Sequence, residues 1–249
     1  YGPSKEHRPN PIVQMGLFMD EQGLPVSYDL YQGNANDSTT LPSMLDDTVV
    51  GFGMHHLIVV ADKGMMSGDN IARIRLLHNG YVMSYSVRGA DQQFKDYVLD
   101  EEGYTEVCDS EGRLVSKHKS RYIPREIWVT TDEGKRKKSL INERQIIIYS
   151  DAYARRAKKE REKAVNKASK QIWAISKDPK PSNYGSAKYI KKVPYDRSTG
   201  ECSDESDFMV LLDQERIAAE EQLDGYYVIC TNVIGLSAHQ KPFTWRCRY

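Results

Sequence analysis

Within the first 90 residues, apolar segments of strand and helix period follow one another at short intervals. This alternation restricts the chain to a layered α/β arrangement. Residues 11–20 (PIVQMGLFMD) read as a mostly apolar strand, residues 21–23 as a turn, and residues 24–31 (LPVSYDLY) as a second strand, so the two predict a hairpin. A loop at residues 33–38 follows, with Asp37 or Ser38 placed to cap a helix over residues 40–50. The β-branched run at residues 55–61 (HHLIVVA) predicts a strand buried on both faces. Residues 68–78 then predict a helix carrying Ile71, Ile74 and Leu77 on one side, and residues 81–87 (YVMSYSV) a further strand.

After Arg88 the texture changes. Residues 91–150 are polar, with short β-rich runs at 127–131 (IWVTT) and 145–149 (QIIIY) on either side of a basic turn. Ser150 or Asp151 caps a long helix over residues 152–172. Its small and apolar positions Tyr153, Ala157, Ala164, Ala168 and Ile172 share one face; Arg155, Arg156, Lys158, Lys159, Arg161 and Lys163 are assigned to the other. Residues 177–186 read as a linker. A strand at 208–212, a short helix at 214–222 and a strand at 226–231 (YYVICT) return the chain to regular structure.

The formal net charge of zero is a sum of unlike parts. Residues 1–116 carry a net −9, residues 117–192 a net +14, and residues 193–249 a net −5. A cationic segment of this size is either a solvated set of helix and loop surfaces or an electrostatic footprint for phosphate, most often nucleic acid. The longest purely aliphatic stretch, residues 57–61, falls far short of the roughly 20 residues a membrane span needs. The first residues do not read as a secretory leader, so none is expected. The four cysteines form no CxxC pair, so a reducing, cytoplasmic setting is the expectation.

Asp62 is the position with the most chemistry in reach. It ends the 55–61 strand just before Lys63-Gly64, where the chain must turn. A carboxylate at the carboxyl end of a central α/β strand points into the ligand crevice and can hold Mg²⁺ beside substrate phosphates. The alternative is an Asp that caps the next helix. Lys5, His7 and Arg8 either grip phosphate or form a solvated terminus, and His55 and His56 read as packing or surface residues. Tyr122, Tyr149, Tyr153, Tyr184, Tyr189 and Tyr195 interleave with the basic segment, as base-stacking platforms or as core and rim packing. No GxSxG, GxxxxGK[ST], HExxH or GxGxxG is present, which sets aside serine hydrolase, P-loop, zincin and dinucleotide readings.

Four segments together resemble one family. YGPSKEHRPN at residues 1–10 resembles the YGxSKDHRPD stretch of DDE transposases from bacterial insertion sequences. Residues 24–38, with Gly33-Asn34 and Asp37-Ser38, resemble the strand and GNxxDS loop that follow there. VVADKGM at 59–65 resembles the VVADRGM segment bearing the second catalytic Asp, and LDGYYVICTN at 223–232 resembles the strand found after that family's insertion. The resemblance implies a ribonuclease H-like mixed sheet flanked by helices, interrupted by a basic β-rich and helical insertion. The domain expectation is a core over 1–90, an insertion over 91–207 and a return to the core over 208–249. It also implies two divalent ions, Mg²⁺ or Mn²⁺, held by three carboxylates for in-line attack on a phosphodiester. Asp62 would be the second acid and a metal ligand. The implied partner is double-stranded DNA, both transposon ends and target, bound by a dimer in the bacterial cytoplasm and nucleoid.

Candidate DNA contacts are Lys5, Arg8, Lys63, Arg88, Lys135, Arg136, Lys137, Lys138, Arg155, Arg156 and Lys159. In the family the first Asp lies before the YGxSK stretch, and the catalytic Glu lies beyond the DGYYVI strand in a YxxRxxxE helix. Neither has a counterpart within the 249 residues. One acid of three predicts that these residues alone do not hold metal stably and are catalytically inert, as a segment of a longer enzyme would be. Two other readings remain open from the sequence: a DNA-binding remnant without chemistry, and an unrelated α/β phosphotransfer enzyme using Asp62 with Mg²⁺.

Overall fold

The computed structural model describes residues 13–19, 22–33, 35–51, 53, 57–61, 63–65, 67–173, 182–195 and 207–233. The chain divides into two compact units: Tyr1–Ser86 with Ser120–Ile146 and Val228–Tyr249, and Val87–Lys119 with Ile147–Tyr227.

In the first unit β1 (Val13–Met19) and β2 (Pro25–Gln32) pair antiparallel as the expected hairpin, with Met15 opposite Leu30 and Leu17 opposite Tyr28. The helix α1 (Asp37–Gly51) contains Pro42. Proline has no N–H to give, so the Ser38 carbonyl loses its intrahelical donor. The buried side chain of Asn70 donates to that carbonyl at 2.8 Å instead. Next, β3 (Ile58–Ala61) runs parallel to β4 (Gly80–Tyr85), connected by a 3-10 turn at Lys63–Met65 and α2 (Gly68–Leu76). Ser67 caps α2 by accepting from the Asn70 N–H, and α2 delivers Ile71 and Ile74 to a core with Leu41, Leu45, Val59, Tyr81 and Met83.

Two elements of the second unit lie outside the sequence expectation: α3 (Gln92–Leu99), capped by the Asp91 side chain, and β5 (Thr105–Cys108). The short β runs expected after them are the ends of two long strands, β6 (Leu114–Thr130) and β7 (Arg136–Ser150). A tight turn closes their hairpin, with the Thr131 N–H on the Lys135 carbonyl and the Gly134 N–H on the Thr131 carbonyl. Pro124 lies in β6 beyond the residues that pair with β5, where a missing ladder donor is tolerated.

In the second unit α4 (Asp151–Trp173) is the predicted long helix. It packs on an antiparallel pair, β8 (Ile190–Tyr195) and β9 (Asp207–Leu212), of which β8 was not foreseen. The helix α5 (Gln214–Gln222) and the strand β10 (Tyr226–Thr231) match their predicted bounds. The hydrogen-bonded order of the main sheet is β3-β4-β10-β7-β6-β5, with β3 parallel to β4 and β10 antiparallel to β4. The fold is therefore the α/β class expected, a mixed sheet flanked by helices. Among the described residues no helix is long and apolar enough to cross a membrane, and Cys108 and Cys230 are free thiols.

Candidate nucleic-acid interface and the strand-end acid

β3 stops one residue before Asp62, and its neighbour β4 is fixed from several directions. The Leu57 N–H donates to Asn79 Oδ1 at 3.0 Å, and the Gly80 N–H to the Leu57 carbonyl at 2.8 Å. Asn232, just past β10, closes the same corner. Its Oδ1 accepts from the Tyr81 N–H at 2.8 Å and its Nδ2 donates to the Asn79 carbonyl at 3.2 Å. Beyond Asp62, the Met65 carbonyl accepts from Asn70 Nδ2 at 2.9 Å. The backbone on both sides of Asp62 is thus tied to side chains of other elements. Asp62 itself, Lys5, His7, Arg8, His55 and His56 lie outside the described residues, as does the side chain of Lys63.

Two features of this corner differ from the sequence reading. Among the described residues β3 forms the edge of the six-stranded order rather than a central strand, with β1 and β2 paired to each other in a separate sheet. Its burial is also one-sided: Val59 is buried, whereas Ile58 is half exposed. Among the described residues no group of three or more His, Cys, Asp or Glu side chains could hold a metal ion. The described residues do not by themselves fit a metal centre.

Behind β4 lies a buried polar network that the sequence reading missed. Glu143 on β7 is 1% exposed. Its Oε2 accepts from the Tyr81 hydroxyl at 3.0 Å and from Arg125 Nη2 at 3.0 Å, and Arg125 Nε stands 2.7 Å from Oε1 as an ion pair. Gln145 Nε2 donates to Glu143 Oε1 at 3.3 Å and its Oε1 accepts from Arg121 Nε at 3.0 Å. Burial, with the Glu143 charge added, pushes the Tyr81 hydroxyl and the Cys230 thiol well above their usual ranges. The available signal was alternation: Ile141, Glu143, Gln145 and Ile147 occupy successive inward positions of one strand.

The cations sort into two groups. One group is consumed inside the protein. Lys117 is buried, ion-paired to Glu101, and lies 4.7 Å from the Tyr104 ring centroid. Burial opposes its charge, but the Glu101 carboxylate and the Tyr226 hydroxyl outweigh that and raise its pKa. Lys119 is buried over Tyr97 and Tyr104 and donates to the Asp100 carbonyl at 2.6 Å. Arg161, assigned to the solvated face of α4, is instead buried and paired with Asp224 and Glu221. Its spacing from Ala157, Ala164 and Ala168 puts it on their face, which is the physical reason for the correction. Arg88 donates to Asp224 Oδ1 at 2.9 Å, so its charge faces a carboxylate.

The other group faces solvent. Lys135, Arg136, Lys137 and Lys138 cluster at the β6–β7 turn, where Lys135 pairs with Glu133 and Lys138 with Glu126. Arg155, Arg156 and Lys159 are exposed on α4, the arginines paired with Asp151 and Glu160. Of the tyrosines, Tyr189 is buried, Tyr149 packs on Tyr226 and Tyr153 on Tyr227, whereas Tyr122 and Tyr184 are open to solvent. A surface cavity of about 440 Å³ lies between Lys117, Tyr149, Arg155, Lys158, Glu221 and Asp224, with acids and bases close to balance.

The DGYYV strand carries conformational work of its own. Asp224 receives both Arg88 and Arg161, and Gly225 adopts φ +87°, with a notional Cβ 2.6 Å from Tyr149 Cε2. Residues 5–220 of the chain match the family described as transposase DDE domain. Neither a curated protein nor a solved structure matches the chain.

Proposed function

The chain belongs to the transposase DDE domain family, and from that premise we propose that it binds double-stranded DNA through the cations exposed at the β6–β7 turn and along α4. The family acts on DNA and generally uses a divalent metal. The finer reading is DNA cleavage and strand transfer at the ends of a bacterial insertion sequence, with Mg²⁺ or Mn²⁺ and a dimer on the DNA, in the cytoplasm and nucleoid. In this reading residues 91–207 are the inserted region and Asp62 is a metal-ligating catalytic acid. What supports Asp62 is its place in VVADKGM, directly after a strand whose neighbour is tied down by Tyr81, Asn79 and Asn232. Lys63, Lys5 and Arg8 are proposed DNA contacts on the strength of their motifs alone.

The observation that carries the DNA-binding reading is the sorting of the cations. Buried lysines and arginines are matched by carboxylates, carbonyls and tyrosine rings, whereas the turn holds four consecutive exposed cations. Such a surface neutralises phosphates without reading sequence. Fluorescence anisotropy with a duplex should show affinity falling steeply between low and physiological salt. Replacing Lys135, Arg136, Lys137 and Lys138 by Ala should weaken binding by the same factor on unrelated sequences. Salt-insensitive binding, or none at low salt, would refute the proposal.

A further inference from the structure

The second half of α4 differs from the first in the balance of its exposed charges. In the first half the exposed arginines are answered on the helix itself, Arg155 by Asp151 and Arg156 by Glu160. From residue 163 to 173 there are three lysines, Lys163, Lys167 and Lys170, and no acid. All three are exposed. The helix cannot rotate them away, because Ala164, Val165, Ala168 and Ile172 are packed against Tyr189, Ile190, Val210 and Leu212. At about 1.5 Å rise per residue, lysines three and four apart stand roughly 5–6 Å from one another. One strand's phosphates advance about 3.4 Å per nucleotide, so a row at this spacing offers one cation for every one to two nucleotides.

The row ends on aromatic rings. Trp173, the last residue of α4, is 80% exposed, and Tyr184 is 83% exposed. Tyr184 directly precedes the 3-10 turn at Gly185–Tyr189, and that turn is tied to the end of α4 by Ser186 Oγ donating to Gln171 Oε1 at 3.2 Å. Side chains of this size with a purely structural role are buried over most of their surface. Here two of them stand open at the same end of a lysine row. A ring can stack on a nucleobase only where that base is not already stacked in a duplex.

Resting on the DNA-binding reading above, we infer that the carboxyl-terminal half of α4 is a site for an unpaired DNA strand, its phosphates along Lys163, Lys167 and Lys170 and its bases on Trp173 and Tyr184. The site sharpens that reading from duplex in general to a junction between duplex and single strand.

The test compares the full chain on a blunt duplex and on the same duplex with a short single-stranded extension, by anisotropy. The extension should raise affinity. Trp173→Ala and Tyr184→Ala should each lower affinity for the extended duplex by roughly tenfold, the order expected for losing one base–aromatic stack, and leave the blunt duplex within about twofold. Trp173→Phe should restore most of the loss. Replacing Lys163, Lys167 and Lys170 by Gln should shrink the salt slope on the extended duplex by about 2. If the extension adds nothing, or the aromatic variants change both substrates alike, the inference fails while DNA binding stands. If neither DNA binds at low salt, the underlying reading fails and takes the inference with it.

Discussion

Glu143 shows how much a single side chain decides here. It is enclosed on β7, holding the Tyr81 hydroxyl and Arg125, and Tyr81 lies opposite Val59 in the strand that leads to Asp62. A buried ion pair adds little net stability, but removing one partner strands the other charge out of water. Glu143→Gln should therefore cost about 3 kcal/mol in urea unfolding. The double variant Glu143→Leu with Arg125→Met should recover most of it, and equal losses in the single and double variants would contradict this account. Glu220 offers a pH-dependent counterpart. Burial pushes its pKa up, but the hydrogen bonds from Lys188 and Tyr189, at 2.7 Å each to Oε2, and the charges of Lys188 and Arg88 outweigh that and leave it below the usual glutamate range. A lowered folded-state pKa means stability that is present above the unfolded value, about 4.3, and is lost as pH falls through the folded value. Melting temperatures of the parent and Lys188→Met should differ at neutral pH and converge below pH 4. A gap that persists in acid would show that Lys188 acts through packing instead.

At the scale of elements, Gly225 explains part of the DGYYV motif. Its φ of +87° favours glycine, and a Cβ there would also meet Tyr149 Cε2 at 2.6 Å and Ala154 Cβ at 2.8 Å. Gly103 has a similar φ of +81° with nothing within 4 Å of the notional Cβ. Gly103→Ala should then cost about 1 kcal/mol from backbone strain, and Gly225→Ala about 3 kcal/mol, because a backbone-fixed ring must also move. Similar melting shifts for the two would remove the steric argument. The same scale shows what could be read in advance. Elements with a strong period, β2, α4, α5 and β10, stood within a residue or two of their predicted bounds, since apolar spacing and capping residues fix them locally. β6 and β7 were seen only at their apolar ends. Their remaining residues mix lysines and arginines with Ser, His, Asn and Glu, and stay extended because they pair with another strand, a partnership that low local β-propensity does not announce. The Asp91 cap of α3 is a local signal legible in the sequence, whereas the Asn70 bond to the carbonyl orphaned by Pro42 joins residues 32 apart and cannot be read from either. At the candidate site, the motif gave Asp62 and the strand before it, but not the Tyr81, Asn79 and Asn232 bonds that fix the neighbouring strand, the last of them spanning 151 residues.

Over the whole molecule, the +14 of residues 117–192 dissolves once space replaces sequence as the frame. The first unit holds 15 basic and 13 acidic side chains and the second 20 and 22, so neither is a cationic body. Acids from both flanking segments offset it, and in the second unit those of residues 193–227 do so directly: Glu220 pairs with Lys188, and Glu221 and Asp224 pair with Arg161. Affinity for a polyanion then depends on which cations remain at the surface and not on how many the chain contains. Each phosphate neutralised on duplex DNA contributes about 0.9 to the slope of log affinity against log salt. Replacing the four exposed cations at residues 135–138 by Ala should reduce that slope by up to about 3.6, with the melting temperature unchanged within a degree or so, since each side chain is exposed and their ion pairs with Glu133 and Glu126 are of the weak surface kind. Arg161→Met should do the reverse. It leaves Glu221 and one oxygen of the buried Asp224 without their partner, so melting should fall by several degrees while the slope stays where it was. If Arg161→Met flattened the salt dependence as much as the turn variant, the buried cations would have to reach DNA after all, and the division of charge into an internal and an external set would be wrong.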